Sequence, residues 1–208
     1  MMERLAEQIT ARLISAHIIE AEDQEMYQFG VVQLLYQVSF FAFALAAGLL
    51  LKVVPETVLF LVAFFSLRPY AGGWHASTQG KCTLISYGIA TVALVSFRLM
   101  PEAALLPLSI GQILIGTAAI WRWAPMENPS KLLDAAEIAH YRRYARIITG
   151  LLAAATVFTV AMQWTRVGYA VSTAVFLSAV LVALGMVQKT RYRSEERRVG
   201  KECRSRWS

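Results

Sequence analysis

The sequence predicts an all-α, polytopic integral membrane protein, with six transmembrane helices behind an N-terminal amphipathic helix. Three observations carry this prediction. Of 208 residues, 57% are hydrophobic and only 16% charged, where a soluble domain carries about 25%; the mean hydropathy is +0.48. The apolar residues gather in long uncharged runs. The positive charges between those runs alternate in number, which is how a membrane protein sets its orientation.

The elements follow in order. In residues 1–28, Leu5, Ile9 and Leu13 recur at i, i+4 and i+8, with Ala6, Ala16 and Ile18 nearby. That period predicts an amphipathic helix, lying along the cytoplasmic membrane surface or packed on the protein itself. The segment is charged throughout and does not read as a signal peptide, so the first span is expected to act as its own insertion signal. Runs 29–51, 103–121, 147–165 and 167–188 reach the roughly 17–25 mainly apolar residues that a span needs. Run 82–97 is slightly short. Run 57–67 is shorter still, and either borrows from 53–56 or 68–70 to cross or is re-entrant. Tyr70, Trp74, Trp121, Trp123 and Trp164 fall at run ends, as interfacial aromatics do.

With six crossings, one side holds Arg4, Arg12, Arg68, Lys81, Arg122, Lys131, Arg142, Arg143, Arg146, Lys189, Arg191 and Arg193. The other holds only Lys52, Arg98 and Arg166. Both termini and the polar segment 68–82 are therefore expected in the cytoplasm, and run 57–67 is expected to be a true crossing. Residues 194–208 supply +2 of the net charge of +6 and have no apolar period. They read as a non-native tail behind a single domain at 1–193. The rest of the charge lies in short connectors with no basic groove on a soluble domain, which argues against nucleic acid. Two cysteines far apart do not make a disulfide framework.

Chemistry is concentrated in segment 68–82. There His75 and Cys82 lie seven positions apart in a glycine-rich stretch at the edge of a span. An imidazole can take a thiol proton, and the thiolate is the nucleophile of cysteine enzymes. Cys82 lies where a helix should begin, and a helix N-terminus together with Lys81 favours the thiolate. Gly72, Gly73 and Gly80 permit the tight turns that would fold His75 back over it. Read singly, Cys82 is a small buried residue, His75 an interfacial one and Arg68 a positive-inside anchor; Arg68 can also bind a carboxylate or fix the loop. No metal is expected, since His17 and His140 lie in other segments and a zinc site wants three or four ligands. None of the spans contains Asp, which argues against a paired-aspartate protease. A second polar segment, Ala124-Pro125-Met126-Glu127-Asn128-Pro129-Ser130-Lys131, opens a connector at 122–146 on the same side, where it can form the other wall of the site.

In Arg68…Gly72-Gly73-Trp74-His75…Cys82 and the arrangement of spans over residues 1–190, the chain resembles the accessory gene regulator B (AgrB) family of bacterial membrane peptidases. The resemblance places the family's catalytic pair on His75 and Cys82, and supporting or substrate-binding positions on Arg68, Gly73 and, less specifically, Lys131. It implies a cysteine endopeptidase of the bacterial cell membrane. Its partners would be a short quorum-sensing propeptide and the lipid bilayer, with no cofactor. It also implies a thioester intermediate, which a side chain of the peptide resolves into a thiolactone or lactone. For a third orienting residue, Ser77, Thr78, Gln79 and Glu127 are the candidates, and oxyanion donors are expected among backbone N–H groups at the helix start. Gly150, Ala153, Ala154 and Ala155 are small enough to let two copies pack as a homodimer. The alternative class is a non-catalytic peptide exporter or transporter, which would place polar groups near the midplane; the spans hold few, chiefly Gln33, Gln37 and Gln112.

Overall fold

Three helix ends set the corners of the bundle, and each turns on a non-glycine residue in the left-handed region: His17 (φ 55°), Lys52 (φ 58°) and Gln163 (φ 64°). At each, two backbone N–H groups reach back to carbonyls of the last turn. Ile18 donates to Leu13 and His17 to Ile14; Val53 donates to Gly48 and Lys52 to Leu49; Trp164 donates to Thr159 and Gln163 to Val160. These paired bonds satisfy carbonyls that a helix end leaves free.

The computed structural model describes residues 2–74, 78–126 and 134–205, with side chains through residue 190. In chain order the helices are α1 (Met2–Ser15), α2 (Gln24–Leu51, entered through a 3₁₀ turn at Ala21–Asp23), α3 (Val54–Ala71), α4 (Gln79–Leu99), α5 (Glu102–Trp123), α6 (Ala135–Ala161) and α7 (Thr165–Ser205). There is no strand among the described residues. Helices α2 to α7 each carry a stretch long and apolar enough to cross a membrane, so the fold is the expected all-α, six-span one. The amphipathic helix is shorter than expected. It stops at Ser15 instead of running through 28, because the turn at His17 redirects the chain before α2. It packs on α2 with Ala6 and Thr10 buried. The short run 57–67 becomes an 18-residue helix by borrowing at both ends.

Helix α7 is the hub. Of its most apolar window, 61% is buried, against 17–33% for the other five spans, and α3, α5 and α6 pack around it. In lipid, apolar area gives helices little reason to associate, so close approach and hydrogen bonds decide the packing. Gly116 of α5 lets that helix approach α7, since a Cβ there would come within 3.0 Å of Val175 and 3.2 Å of the Phe176 backbone. Ser172 and Thr173 of α7 donate to Gln112 Oε1 of α5 at 2.8 and 3.1 Å. At one end, Arg166 of α7 pairs with Glu102 of α5 and donates to the Phe97 carbonyl. Buried hydroxyls such as Thr57, Ser109, Thr149 and Ser178 bond the carbonyl four residues back, which keeps them satisfied within their own helix. Helix α4 joins the bundle through α2, where Tyr87 stacks on Phe40 and Phe43 and pairs with Ser39 Oγ at 2.8 Å.

Candidate active site

Helix α3 ends at Gly72 (φ 68°), and Gly73 follows at φ 128°, backbone that a residue with a Cβ rarely adopts. The chain is then pinned from three sides. Arg68 donates from Nη1 to the Gly72 carbonyl and from Nη2 to the Trp74 carbonyl, the latter at 2.9 Å. The Trp74 N–H donates to the Leu181 carbonyl of α7 at 2.8 Å, and the Met126 N–H donates to the Ala71 carbonyl at 3.0 Å. Gly72 and Met126 form an isolated bridge. Adding a Cβ to Gly73 would bring it within 2.7 Å of Arg68 Nη1 and 2.9 Å of the Leu181 backbone; at Gly185 it would meet Met126 Cγ at 2.8 Å and Gly73 and Trp74 backbone at 3.1 Å. The two polar segments thus meet on α7, with Met126 packed against the turn between Gly72 and Gly185; none of residues 124–126 lines the cavity that Cys82 borders.

Cys82 lies in the first turn of α4, partly buried and free. Thr78 caps the helix: its hydroxyl accepts from the Lys81 N–H at 3.4 Å, and its carbonyl accepts from the Cys82 N–H at 3.0 Å. The N–H of Cys82 is therefore committed to its helix. Among the described residues, the first-turn N–H groups of Gln79 and Gly80 have no acceptor, since they lie before any i−4 carbonyl of the helix. Cys82 lines an apolar cavity of about 200 Å³ with Arg68, Trp74, Phe60, Phe64 and Leu181. The Arg68 guanidinium is within electrostatic reach of Cys82, so one side chain both clamps the loop and presents positive charge toward the sulfur.

Of the residues expected at the site, Arg68, Gly73 and Cys82 come together. His75, Ser77, Glu127 and Lys131 lie outside the described residues. Leu181 and Gly185 of α7 were not anticipated. A carbonyl acceptor leaves no sequence signal, and a glycine inside a span is a weak one. His140 of α6 does not line the Cys82 cavity: its ring is 4.6 Å from Tyr144, which stacks at 5.3 Å on Tyr70 of α3.

Six helices long and apolar enough to cross a membrane, with α7 among them as the hub, and a partly buried cysteine at the start of one beside an arginine-clamped glycine turn, define a polytopic membrane protein. The chain belongs to the accessory gene regulator B family, whose model matches residues 5–186. It is similar to a protein described as a putative AgrB-like protein from Clostridium perfringens strain SM101, 25% identical over 136 residues. It is also similar to a putative AgrB-like protein 2 from Clostridium perfringens strain 13, 24% identical over 138 residues. Each match covers 63% of this chain and 64% of the relative's length. No solved structure matches the chain significantly.

Proposed function

We propose that the chain is a membrane cysteine endopeptidase that cuts a short quorum-sensing propeptide and closes the released segment into a ring. Family membership supports a role in accessory gene regulator quorum-sensing peptide processing. The observation that carries the finer reading is the placement of Cys82 on an apolar cavity walled by the Arg68-clamped turn. In this reading His75 takes the Cys82 proton, and the sulfur attacks the scissile carbonyl. The carbon–nitrogen bond breaks, and His75 returns the proton to the departing amine. The acyl group remains on Cys82 as a thioester. A thiol or hydroxyl of the peptide then attacks that carbonyl, the carbon–sulfur bond breaks, and the Cys82 thiol is restored beside a thiolactone or lactone. The apolar cavity excludes water from the thioester while the peptide's own nucleophile is held close.

Arg68 acts by holding the turn and by facing charge that develops at the sulfur, with Lys131 as a further substrate contact. The first-turn N–H groups of Gln79 and Gly80 serve as oxyanion donors. The alternation of positive charge supports a site and two termini that face the cytoplasm of a bacterial cell. The test uses the purified full chain in liposomes with the synthetic propeptide encoded beside its gene, followed by mass spectrometry. A peptide adduct on Cys82 and a ring product missing one water relative to the hydrolysed fragment are expected. Undiminished cleavage by Cys82→Ala overturns the reading.

A further inference from the structure

Cys82 also borders a second space, a cleft of about 170 Å³ between α2 and α4, lined among others by Gln33, Tyr36, Gln37, Gln79 and Thr83. Gln33 lines both this cleft and the apolar cavity. Gln33 and Gln37 belong to a spanning helix and are exposed, and neither side chain has a hydrogen-bond partner among the described residues. An amide without a partner at bilayer depth is costly, and the neighbouring exposed positions of α2, Leu34 and Val38, are apolar as lipid-facing residues should be. The two glutamines are one helical turn apart, about 6 Å along the axis. An extended peptide presents main-chain groups to the same side every second residue, about 6.6 Å apart.

We propose that this cleft binds an extended segment of the substrate by its main chain, with Gln33 and Gln37 each pairing with alternate peptide groups, and that it thereby positions the scissile bond over Cys82. The proposal rests on the cysteine-peptidase reading above. Continuity of the cleft with the sulfur favours the peptide over a second copy of the chain. Because a side-chain amide both donates and accepts, it pairs with any main-chain group; the cleft sets the register of the peptide while the apolar cavity selects a side chain.

The test uses the full chain in liposomes and the synthetic propeptide encoded beside its gene. Gln33→Met and Gln37→Met keep shape and remove the amide. Each should raise KM about twofold to tenfold, the range of one net hydrogen bond, with kcat changed less than about twofold. N-methylation of alternate main-chain amides near the scissile bond should raise KM comparably in the parental protein and much less in the Met variants. On the parental protein this arm compares peptides alone, so an unchanged KM there counts against the cleft even where a substitution unfolds the chain. Peptide affinity of Cys82→Ala should fall by the same factor when Gln33→Met is added. This measurement needs no cleavage, which separates failure of the cleft from failure of the peptidase reading. An unchanged KM for both variants and for the N-methylated peptides overturns the proposal. So does a Gln37→Met variant that dissociates a dimer while its peptide affinity stays the same, since the amides would then pair between copies.

Discussion

Gly73→Ala isolates the docking of the turn from the chemistry at the sulfur. The new Cβ would lie 2.7 Å from Arg68 Nη1 and 2.9 Å from the carbon and oxygen of the Leu181 carbonyl. Relieving these contacts means moving the turn by roughly 0.5–1 Å, to the ordinary separation of about 3.5 Å. The partner on the α7 side is helix backbone at the hub, so the turn must be what moves. The backbone conformation at φ 128° adds about 1–3 kcal/mol for a residue with a Cβ, and loosening the Trp74–Leu181 bond adds about 0.5–1.5 kcal/mol. A total of about 1.5–4.5 kcal/mol corresponds to a loss of roughly 10- to 2,000-fold in the docked population, and in turnover if only the docked turn is competent. The assay is kcat/KM for propeptide cleavage in liposomes, with membrane-inserted protein quantified in parallel. Gly88→Ala, also in α4 but away from the site, is the matched control: among the described residues a Cβ there meets nothing within 4 Å, and alanine in a helix is better than glycine by about 1 kcal/mol. Cleavage by Gly73→Ala at the parental rate, or an equal loss in Gly88→Ala, would refute the docking argument.

Arg68→Lys keeps the charge but cannot span two carbonyls with a planar fork; cleavage should fall at least about tenfold at unchanged protein level, and full activity would dismiss the clamp. Gly185→Ala should reproduce the Gly73→Ala defect, because its Cβ also presses on the turn, and the double variant should lose clearly less than the two single losses combined; full additivity of the free energies would mean two separate effects. In a background without native cysteines, single cysteines at Gln79 and Ser130 should be shielded from a membrane-impermeant thiol reagent in intact cells and one at Glu102 labelled; the reverse pattern would invert the topology. His75→Ala should lose most cleavage at neutral pH and recover part of it as hydroxide replaces the missing base, whereas a flat, undiminished rate would remove the imidazole from the mechanism.

The spans were legible because bilayer thickness imposes a length and charge alternation imposes a count. The short run 57–67 shows both at work: its length left crossing and re-entry open, the charges favoured crossing, and the structure supplies the missing turns from Val54 and through Ala71. The end of α1 was not legible, since a left-handed His17 is unusual and no glycine marks the stop. At the site, Arg68, Gly73 and Cys82 could be read because each is an unusual residue type at a span edge. Their common support could not. The turn rests on the carbonyl of Leu181 and the missing Cβ of Gly185, more than a hundred positions further on, and a backbone acceptor makes no demand on its own side chain.

The same logic explains why the hub and the site share a helix. Where lipid removes most of the hydrophobic reason for helices to associate, contacts of small residues and interhelical hydrogen bonds carry the specificity. Helix α7 supplies such contacts along its length: the Arg166–Glu102 pair at its start, Ser172 and Thr173 against Gln112 at its middle, and Leu181 and Gly185 beneath the turn. The first two sets fix α7 against α5, and the last transmits that position to Trp74 and Arg68, both on the wall of the Cys82 cavity. Helix α4, which carries the sulfur, joins mainly through α2. The nucleophile and the wall it faces are therefore mounted on different parts of the bundle. Their separation is set by how α2 and α4 sit against α3, at the cleft where Gln33 and Gln37 lie open.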